Sequence, residues 1–445
     1  MDPLKQKMAM KKNSILGGMT LMMAAILAMY ACNSIDVQVD DEMADAAKTI
    51  PYTVQVGSGD PTTRATVLDD YQTLYFAEGD KLYITGTNIK GVLNIQTGAG
   101  TASATFSGDL TYSGEGSPAD NLELTATLVS AQQTEGKQVS VNAGGVVTVN
   151  YPKESSYCTS VNDAVQQYSR LTGTSTYGAK SFTLTQHTAF LNFAITFMDG
   201  TTAGTSLNTK VYFESLVNSY NVTTTKEGDN VVAKFVLPVA GGTKTNNISV
   251  DMRGGTYKFN IRRLPNMTLE GKVYNLKRTF YPLNLTNPAV GQIICNDGKN
   301  YNYNTYHADS LASKLPGVIP VARICKIGKN YGLALAMKKE QVDWNTAMAK
   351  AAAHEPTFKR SYWTLASQNE WNEMFAIAGN SANLSNGLIS VGGPNLLGGC
   401  YSSTKNGADK VKFFISAGEQ WGGLWQDVYI KGSNMFVLPC LHFDL

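Results

Sequence analysis

Apolar and polar residues alternate with a period of two along the first part of the chain after residue 50, which indicates one strand after another. Glycine-containing breaks at 79–80, 98–100 and 144–145 separate these segments. A series of short strands with turn residues between them is typical of a β-sandwich. The pattern therefore predicts an N-terminal β-sandwich domain over residues 51–170.

The same alternation continues over residues 171–283, where it predicts a second β-sandwich domain. Within this range the segment 189–197 is nearly all hydrophobic, as expected for a strand that is buried on both faces. His187 begins that strand. We expect it to be a hydrogen-bonded histidine at the edge of the core rather than a catalytic one.

Helical patterns appear among the strands after residue 283. Asp343 can cap an alanine-rich helix, and Ser367 with Glu370 has the spacing of a capping box that opens another helix. A shorter helix is expected within residues 305–315. All the tryptophans of the chain fall in this part, at Trp344, Trp363, Trp371, Trp421 and Trp425. The sequence thus predicts a mainly β protein that ends in an α+β domain over residues 284–445.

The first 31 residues have the composition of an export signal. Several lysines precede an apolar run from residue 15 to residue 31, which is short for a membrane span. The run ends in Met-Tyr-Ala-Cys, which resembles a bacterial lipobox and implies a lipid on Cys32. Plain secretion with an incidental cysteine is the alternative. Residues 32–50 are acidic and contain no aromatic side chain, so they are predicted to be a solvated tether.

Composition excludes some classes of function. The chain has 445 residues and a net charge of +2, so there is no electrostatic basis for binding nucleic acid. The four histidines are scattered and no Cys-x-x-Cys motif occurs, so we predict no metal site and no cofactor. Four of the five cysteines after Cys32 lie in the last third. An exported protein can form disulfides there, but the spacing does not define their pairing.

An ordered set of motifs between residues 50 and 281 resembles the fimbrillin family of Bacteroides-type lipoproteins. The set comprises Thr-Thr-Arg-Ala-Thr at 62–66, Phe-Ala-Glu-Gly-Asp at 76–80, the strand opening at 187–196 and the closing segment at 271–280. The resemblance implies two transthyretin-like β-sandwich domains and export as a lipoprotein. It also implies that a trypsin-like protease cuts after an arginine near the first strand.

The arginine at the matching position is Arg64, so the processed chain would begin at Ala65. Loss of the first strand, 51–57, would open a groove that a donor strand from another fimbrillin subunit fills by β-augmentation. The alternative is that Arg64 is an ordinary loop arginine.

The last part of the chain resembles the C-type-lectin-like modules of Bacteroides surface proteins, which are related in fold to sulfatase-modifying enzymes. The motifs that carry the resemblance lie at 290–301, 319–337, 342–349, 361–375, 398–404 and 434–443. Where those modules carry Trp, this chain has Tyr401. Two departures from the family pattern introduce Cys400 and Cys440, and we expect a disulfide between them if their strands are neighbours in a sheet.

No motif in this part predicts catalysis. Lys326 beside Cys325 is the one hint of an activated cysteine, but neighbouring residues on a strand point to opposite faces. Glu355-Pro356-Thr357 is a fragment of a lectin calcium motif and fits a helix stop better. We therefore predict no enzyme activity and no calcium site.

Ligand binding is the remaining chemistry. The glycine-rich segment 416–427 combines Trp421 and Trp425 with the carboxylate of Asp427, and aromatic faces beside carboxylates suit sugar rings or peptide side chains. These residues and Tyr401 are the ligand-binding candidates. The alternative is that both tryptophans fill the core of the domain, as we expect for Trp344 and Trp371.

Three hypotheses for function follow. The first is a tip or minor subunit of a donor-strand-assembled pilus, lipid-anchored in the outer membrane before processing and adhesive through its C-terminal domain. Its partners would be other subunits, the processing protease, and a glycan or protein on a host or bacterial surface. The second is a permanently anchored surface lipoprotein that binds a glycan or peptide and never polymerises. The third is an enzyme related to the sulfatase modifiers.

Overall fold

The computed structural model describes most of the chain after residue 46, and its ordered elements belong to one compact unit, Lys48–Leu445. The predicted lipidation site Cys32, the predicted processing site Arg64–Ala65 and the ligand candidate Trp421 lie outside the described residues. The structure describes residues 47–58, 75–136, 138–151, 157–213, 216–245, 248–261, 267–308, 311–415, 424–430 and 433–445.

The N-terminal strands close into a barrel. Its strands follow the order β1-β4-β3-β2-β5-β8-β9, and β1 pairs with β4 on one side and with β9 on the other. A small hairpin, β6–β7, and helices α1 (Ala131–Glu135) and α2 (Val161–Tyr168) lie between β5 and β8. The strands are β1 (Lys48–Ser58), β2 (Lys81–Gly86), β3 (Ile89–Thr97), β4 (Ser103–Tyr112), β5 (Glu123–Val129), β6 (Val139–Val141), β7 (Val147–Val149), β8 (Leu171–Thr176) and β9 (Ser181–Gln186).

This barrel replaces the predicted N-terminal sandwich and extends past the predicted boundary at residue 170. Strands β8 and β9 follow that residue, yet they complete the barrel and close it against β1. Alternation along a strand shows that one face is buried. It does not show whether the opposite wall of the core is a second sheet or the same sheet curled round, because hydrogen-bonding partners far apart in sequence decide that.

The middle part of the described chain is a two-sheet sandwich. One sheet has the order β13-β14-β10-β19-β25 and the other β12-β11-β16-β17, with a short pair β15–β18 beside them. Phe193 and Phe235 of the first sheet share a core with Val250 and Tyr257 of the second. The strands are β10 (Thr188–Phe197), β11 (Ser206–Phe213), β12 (Leu216–Thr223), β13 (Thr225–Glu227), β14 (Asn230–Ala240), β15 (Lys244–Thr245), β16 (Ile248–Met252), β17 (Tyr257–Ile261), β18 (Met267–Thr268) and β19 (Val273–Tyr281).

The C-terminal part combines strands and helices, as predicted. Its sheets run β21-β20-β22-β23-β31-β26 and β24-β30-β27-β28-β29. The strands are β20 (Ile293–Cys295), β21 (Asn300–Tyr301), β22 (Pro320–Ile327), β23 (Tyr331–Ala336), β24 (Glu340–Asp343), β25 (Thr357–Phe358), β26 (Ser361–Leu365), β27 (Cys400–Lys405), β28 (Lys410–Ile415), β29 (Leu424–Tyr429), β30 (Asn434–Val437) and β31 (Pro439–Asp444). The helices are α3 (Tyr303–Ala308), α4 (Leu311–Lys314), α5 (Trp344–Ala352), α6 (Gln368–Ala378) and α7 (Ser381–Ile389).

The local helix signals read from the sequence are confirmed. Ser367 accepts a hydrogen bond from the backbone N–H of Glu370, and the Glu370 side chain accepts one from the backbone of Ser367, which completes the capping box of α6. Asp343 accepts a hydrogen bond from the backbone N–H of Thr346 at the start of α5. The helix predicted within 305–315 forms as two short helices, α3 and α4.

Strand β25 belongs to the C-terminal part but pairs in parallel with β19 of the middle sandwich. Beside this pairing, the fully buried carboxylate of Asp199 accepts hydrogen bonds from Tyr257 and Thr201 and lies 3.1 Å from Nζ of Lys359. Arg278 makes an ion pair of 3.1 Å with Glu355 close by. Backbone pairing and buried polar contacts therefore join the sandwich to the C-terminal part.

Candidate functional site

Strand β1 fills a slot in the barrel wall between β4 and β9. It pairs antiparallel with β4 from Lys48 to Gly57, and parallel with β9 from Gln55 to Ser58. Its side chains alternate strictly between core and surface, because Tyr52, Val54 and Val56 are buried while the residues between them are exposed. A segment with one buried face and two hydrogen-bonded edges has the geometry that β-augmentation requires.

Strand β4 places residues of different size opposite the buried residues of β1. Tyr52 stands opposite Gly108, which has no side chain. Next along the strand, Val54 stands opposite the large ring of Phe106. Directly opposite residues of an antiparallel pair have adjacent Cβ atoms on the same face, so Val54 and Phe106 form a β-branched–aromatic pair of the kind that stabilises a sheet.

The ring of Tyr52 is held by a turn that follows β8. It stacks on Tyr177 with 5.1 Å between ring centroids, and its hydroxyl donates a hydrogen bond of 2.9 Å to the carbonyl oxygen of Tyr177. Nζ of Lys180 lies 3.7 Å from the Tyr52 centroid and 3.9 Å from that of Tyr177. Burial raises the pKa of Tyr52 to about 12, so the hydroxyl stays protonated and can donate.

The sequence interpretation named β1 but missed Tyr177, Lys180 and Gly108. A glycine within a strand often marks a close approach by another group, so Gly108 carried a usable signal. Tyr177 and Lys180 carried none, since they lie more than a hundred residues from Tyr52 and only the barrel closure brings them together.

Strand β1 directly precedes, along the chain, the segment that holds the predicted processing site. Strand β1 ends at Ser58, and the next described residue is Tyr75. Arg64 and Ala65 fall between these two, outside the described residues. A cut there would sever β1 from the rest of the barrel while leaving its hydrogen bonds in place.

Strand β31 has different surroundings. It pairs with β23 on one edge and with β26 on the other. Its residues from Pro439 to Phe443 are buried in succession, so both faces of the strand contact core side chains. It therefore cannot leave its sheet without dismantling the C-terminal core.

The ligand candidates in the C-terminal part fall into different environments. The prediction that Tyr401 binds a ligand is wrong, because its ring is fully buried and its hydroxyl donates to the carbonyl oxygen of Ser433. Trp425 is half-buried, stacks edge-on against Phe414 and donates from Nε1 to Asn372, so most of its ring serves packing. Trp344 and Trp371 are core residues, as predicted.

Asp427 is the candidate that remains on the surface among the described residues. Its carboxylate lies 2.8 Å from Nζ of Lys412 and accepts a hydrogen bond of 2.6 Å from Asn406. The hydrogen bond from Lys412 is the main reason that the pKa of Asp427 is lowered, so the carboxylate is charged at neutral pH. Tyr429, 56% exposed, follows on the same face of β29, which the sequence interpretation did not include.

The predicted disulfide between Cys400 and Cys440 does not form, and both are free, buried thiols. Cys400 lies on β27 and Cys440 on β31, which belong to different sheets, so the strands are not the neighbours that the prediction required. Burial raises the pKa of Cys400 to about 12 and that of Cys440 well above its usual value. Such thiols are protonated and poor nucleophiles.

His187 has the structural role expected of it. It is half-buried, and its Nε2 lies 2.7 Å from the hydroxyl of Thr172. Burial lowers its pKa, so the ring is neutral at pH 7. Within the described ranges no group of three or more His, Cys, Asp or Glu side chains could hold a metal ion. No described helix is both long and apolar enough to cross a membrane.

Comparisons with known proteins give weak similarities. No protein-family model matches the sequence, and no curated protein matches it. A fimbrial protein from Bacteroides ovatus is similar at 10% identity, with 88% of this chain and 100% of that chain covered and a TM-score of 0.24. The tip fimbrial protein Mfa3 from Porphyromonas gingivalis, with a C-terminal truncation, is similar at 9% identity, with 53% and 97% covered and a TM-score of 0.27. TM-scores this low do not establish a shared fold.

Proposed function

We propose that this chain is an exported surface protein that acts as a tip or minor subunit of a pilus assembled by donor-strand insertion. The observation that carries the proposal is the slot of β1. A strand with one buried face lies between two strands that would both lose partners if it left. The exposed edges would then recruit another strand by main-chain hydrogen bonds.

The contrast with β31 supports a position at a filament end. A stalk subunit must both accept a strand and donate one. Here the slot can accept, while β31 is paired on both edges and buried on both faces. The C-terminal part is also joined to the middle sandwich through β25, Asp199 and Lys359, which suits a domain that presents a surface at a fixed orientation.

In this proposal Cys32 carries the lipid that holds the precursor on the outer membrane, and a trypsin-like protease cuts after Arg64. The C-terminal part binds a glycan or protein on another surface. Asp427 and Tyr429 on β29 are the exposed residues we assign to that contact, because a fixed carboxylate beside an aromatic ring suits a sugar or peptide.

The test uses the bacterium that makes the protein, with the wild-type chain, Arg64→Ala and the matched control Arg64→Lys, which a trypsin-like protease still recognises. Mass spectrometry identifies the N-terminus of the surface protein, and immunogold microscopy with antibody against residues 284–445 locates it. We expect a chain that begins at residue 65 and gold at filament ends for wild type and Arg64→Lys, and neither for Arg64→Ala.

Gold over the outer membrane in all three strains, on a chain that keeps Cys32, would contradict polymerisation. The anchored surface lipoprotein would then account for the protein.

A further inference from the structure

The turn formed by Tyr177, Gly178, Ala179 and Lys180 contacts β1 through groups that depend on the side chain at position 52. The carbonyl oxygen of Tyr177 accepts from the Tyr52 hydroxyl, the Tyr177 ring stacks on it, and the ammonium group of Lys180 lies over both rings. An aliphatic side chain at position 52 would satisfy none of these three contacts. We name this segment the Tyr177–Lys180 turn.

The backbone of the same turn also contacts β1, and this contact does not depend on which side chains β1 carries. The carbonyl oxygen of Lys180 accepts a hydrogen bond of 3.0 Å from the backbone N–H of Gln55. Lys180 has φ 54°, in the left-handed region, which places its carbonyl and side chain in the tight turn before β9. Lys180 therefore makes two kinds of contact. Its carbonyl oxygen binds the backbone of any strand in the slot, and at position 52 its ammonium group contacts only an aromatic side chain.

Strand β4 lies beside the occupant on the other edge of the slot. Gly108, Phe106 and Ala104 stand opposite positions 52, 54 and 56 in turn. A Cβ added to Gly108 would lie 2.7 Å from the carbonyl oxygen of Val92, so β3 keeps this position free of a side chain. Of these three residues only Phe106 places a large side chain beside the occupant.

We infer that the slot selects its occupant by sequence: it takes a strand with an aromatic residue, best a tyrosine, at the position of Tyr52, followed by apolar residues two and four positions later. The occupant would be an extended segment of a neighbouring subunit with this aromatic-x-apolar-x-apolar pattern, running antiparallel to β4. The inference rests on the proposed strand exchange and adds to it the side chain that determines which partner binds.

The experiment uses the full chain with a sequence-specific protease site in place of residues 62–66, so that the cut does not depend on natural processing. After cleavage, fluorescent peptides of residues 48–58 that carry Tyr, Phe, Leu or Ala at position 52 compete with the resident fragment. Native mass spectrometry measures incorporation, and anisotropy gives relative affinity. The protein variants are Lys180→Met, Lys180→Arg and, as a matched control, Lys90→Met, whose Nζ contacts Ala143 elsewhere on the barrel.

On the wild-type chain we expect the order Tyr, Phe, Leu, Ala, with Tyr favoured over Leu by about tenfold. In Lys180→Met, which keeps most of the aliphatic stem, we expect that ratio to fall several-fold, and in Lys180→Arg and Lys90→Met to persist. The ratio isolates the ring contact, because any general weakening of the slot affects both peptides equally.

Equal affinity of the Tyr and Leu peptides for the wild-type chain would overturn the inference while leaving strand exchange intact. An equal loss of both peptides in Lys180→Met would also overturn it, since the Lys180 side chain would then bind any strand without regard to the residue at position 52. Failure of every peptide to enter the folded, cleaved chain would refute the proposed strand exchange itself. If a Lys180 variant does not fold, the peptide series on the wild-type chain still decides the question.

Discussion

Strands β1 and β31 are both paired on two edges, yet only β1 has the properties of a replaceable part. The first buries one face through Tyr52, Val54 and Val56, and just its last residues reach β9. The second is buried on both faces from Pro439 to Phe443 and lies inside its sheet between β23 and β26. Hydrogen bonding on both edges is therefore common to the two strands, and the number of buried faces is what distinguishes them.

The difference lies in what each strand leaves behind. Removal of β1 would expose the apolar side chains of one barrel wall and the free edges of β4 and β9, which another strand with the same alternation can cover. Removal of β31 would leave two layers of core side chains without contacts, which no single strand can restore. In the proposed strand exchange β1 is the exchangeable element and β31 the fixed one, and four predictions test that assignment.

The largest effect is expected from Leu441→Ala in β31. Leu441 is fully buried opposite Ala334 and Trp363, so the cavity should lower the free energy of unfolding of the C-terminal part by about 2–5 kcal/mol. Because every tryptophan lies in this part, denaturant unfolding followed by tryptophan fluorescence reports on it alone. Leu445→Ala is the matched control, since Leu445 is 49% exposed. Equal midpoints for the two variants would show that β31 is not fixed.

A smaller and local effect is expected from Val54→Ala in β1. Loss of two methyl groups from a buried site should weaken the strand by about 2 kcal/mol. Hydrogen exchange in β4 should then speed up, while the tryptophan-detected midpoint of the C-terminal part stays unchanged. Val146→Ala is the control, because Val146 is 53% exposed. A shift of the C-terminal midpoint would mean that the two regions unfold together.

The two regions should also respond to pH with opposite sign. In the barrel, burial raises the pKa of Asp80 to about 7. This raised value means that the stability Asp80 contributes is present below its unfolded pKa of about 3.9 and is lost as pH rises through 7. In the C-terminal part, burial lowers the pKa of His354 to about 4. Its contribution is present above about 6.5 and is lost as pH falls through 4.

We therefore expect β2 and β5 to be more protected from hydrogen exchange at pH 4.5 than at pH 7.5, after correction for the chemical exchange rate. The tryptophan-detected stability of the C-terminal part should change by about 1–2 kcal/mol in the other direction. Asp80→Asn should remove the first dependence and His354→Gln the second. A common sign in both regions would show that other titrating groups dominate.

Local sequence signals predicted the elements but not the closure of the barrel. The strand at 189–197 and the capping box of Ser367 and Glu370 are decided by neighbours in sequence, and both elements form; burial on both faces, however, holds only for the first residues of β10, because Asn192, Ala194 and Thr196 are half-buried. The parallel pairing of β1 with β9, the separation of Cys400 from Cys440 into two sheets and the stacking of Tyr52 on Tyr177 depend on contacts between distant segments. No periodicity in the chain encodes those contacts.

The ligand candidates show the same limit. An aromatic residue near the end of a strand fits a core and a binding face equally well by composition. Burial separates them, with Tyr401 in the core and Asp427 and Tyr429 on the surface of β29.

The smallest effect on folding is expected from Asp427→Asn and Tyr429→Ala, and it sharpens the comparison because it separates stability from recognition. Both side chains lie on an exposed strand face, so neither change should move the tryptophan-detected midpoint. If this face contacts the ligand, each change should weaken binding of the full chain to the glycans it recognises on an array by about tenfold, since a charge-assisted hydrogen bond or a stacking surface is lost.

Glu227→Gln is the matched control for these two variants. Its ion pair with Lys234, at 2.6 Å, is more exposed than that of Asp427 with Lys412 and lies on the middle sandwich, far along the chain from β29. Binding that is lost in Asp427→Asn and Tyr429→Ala but kept in Glu227→Gln would assign recognition to β29 of the C-terminal part. Binding that survives all three changes would remove β29 from the candidate surface, because neither the carboxylate of Asp427 nor the ring of Tyr429 would then contribute to it.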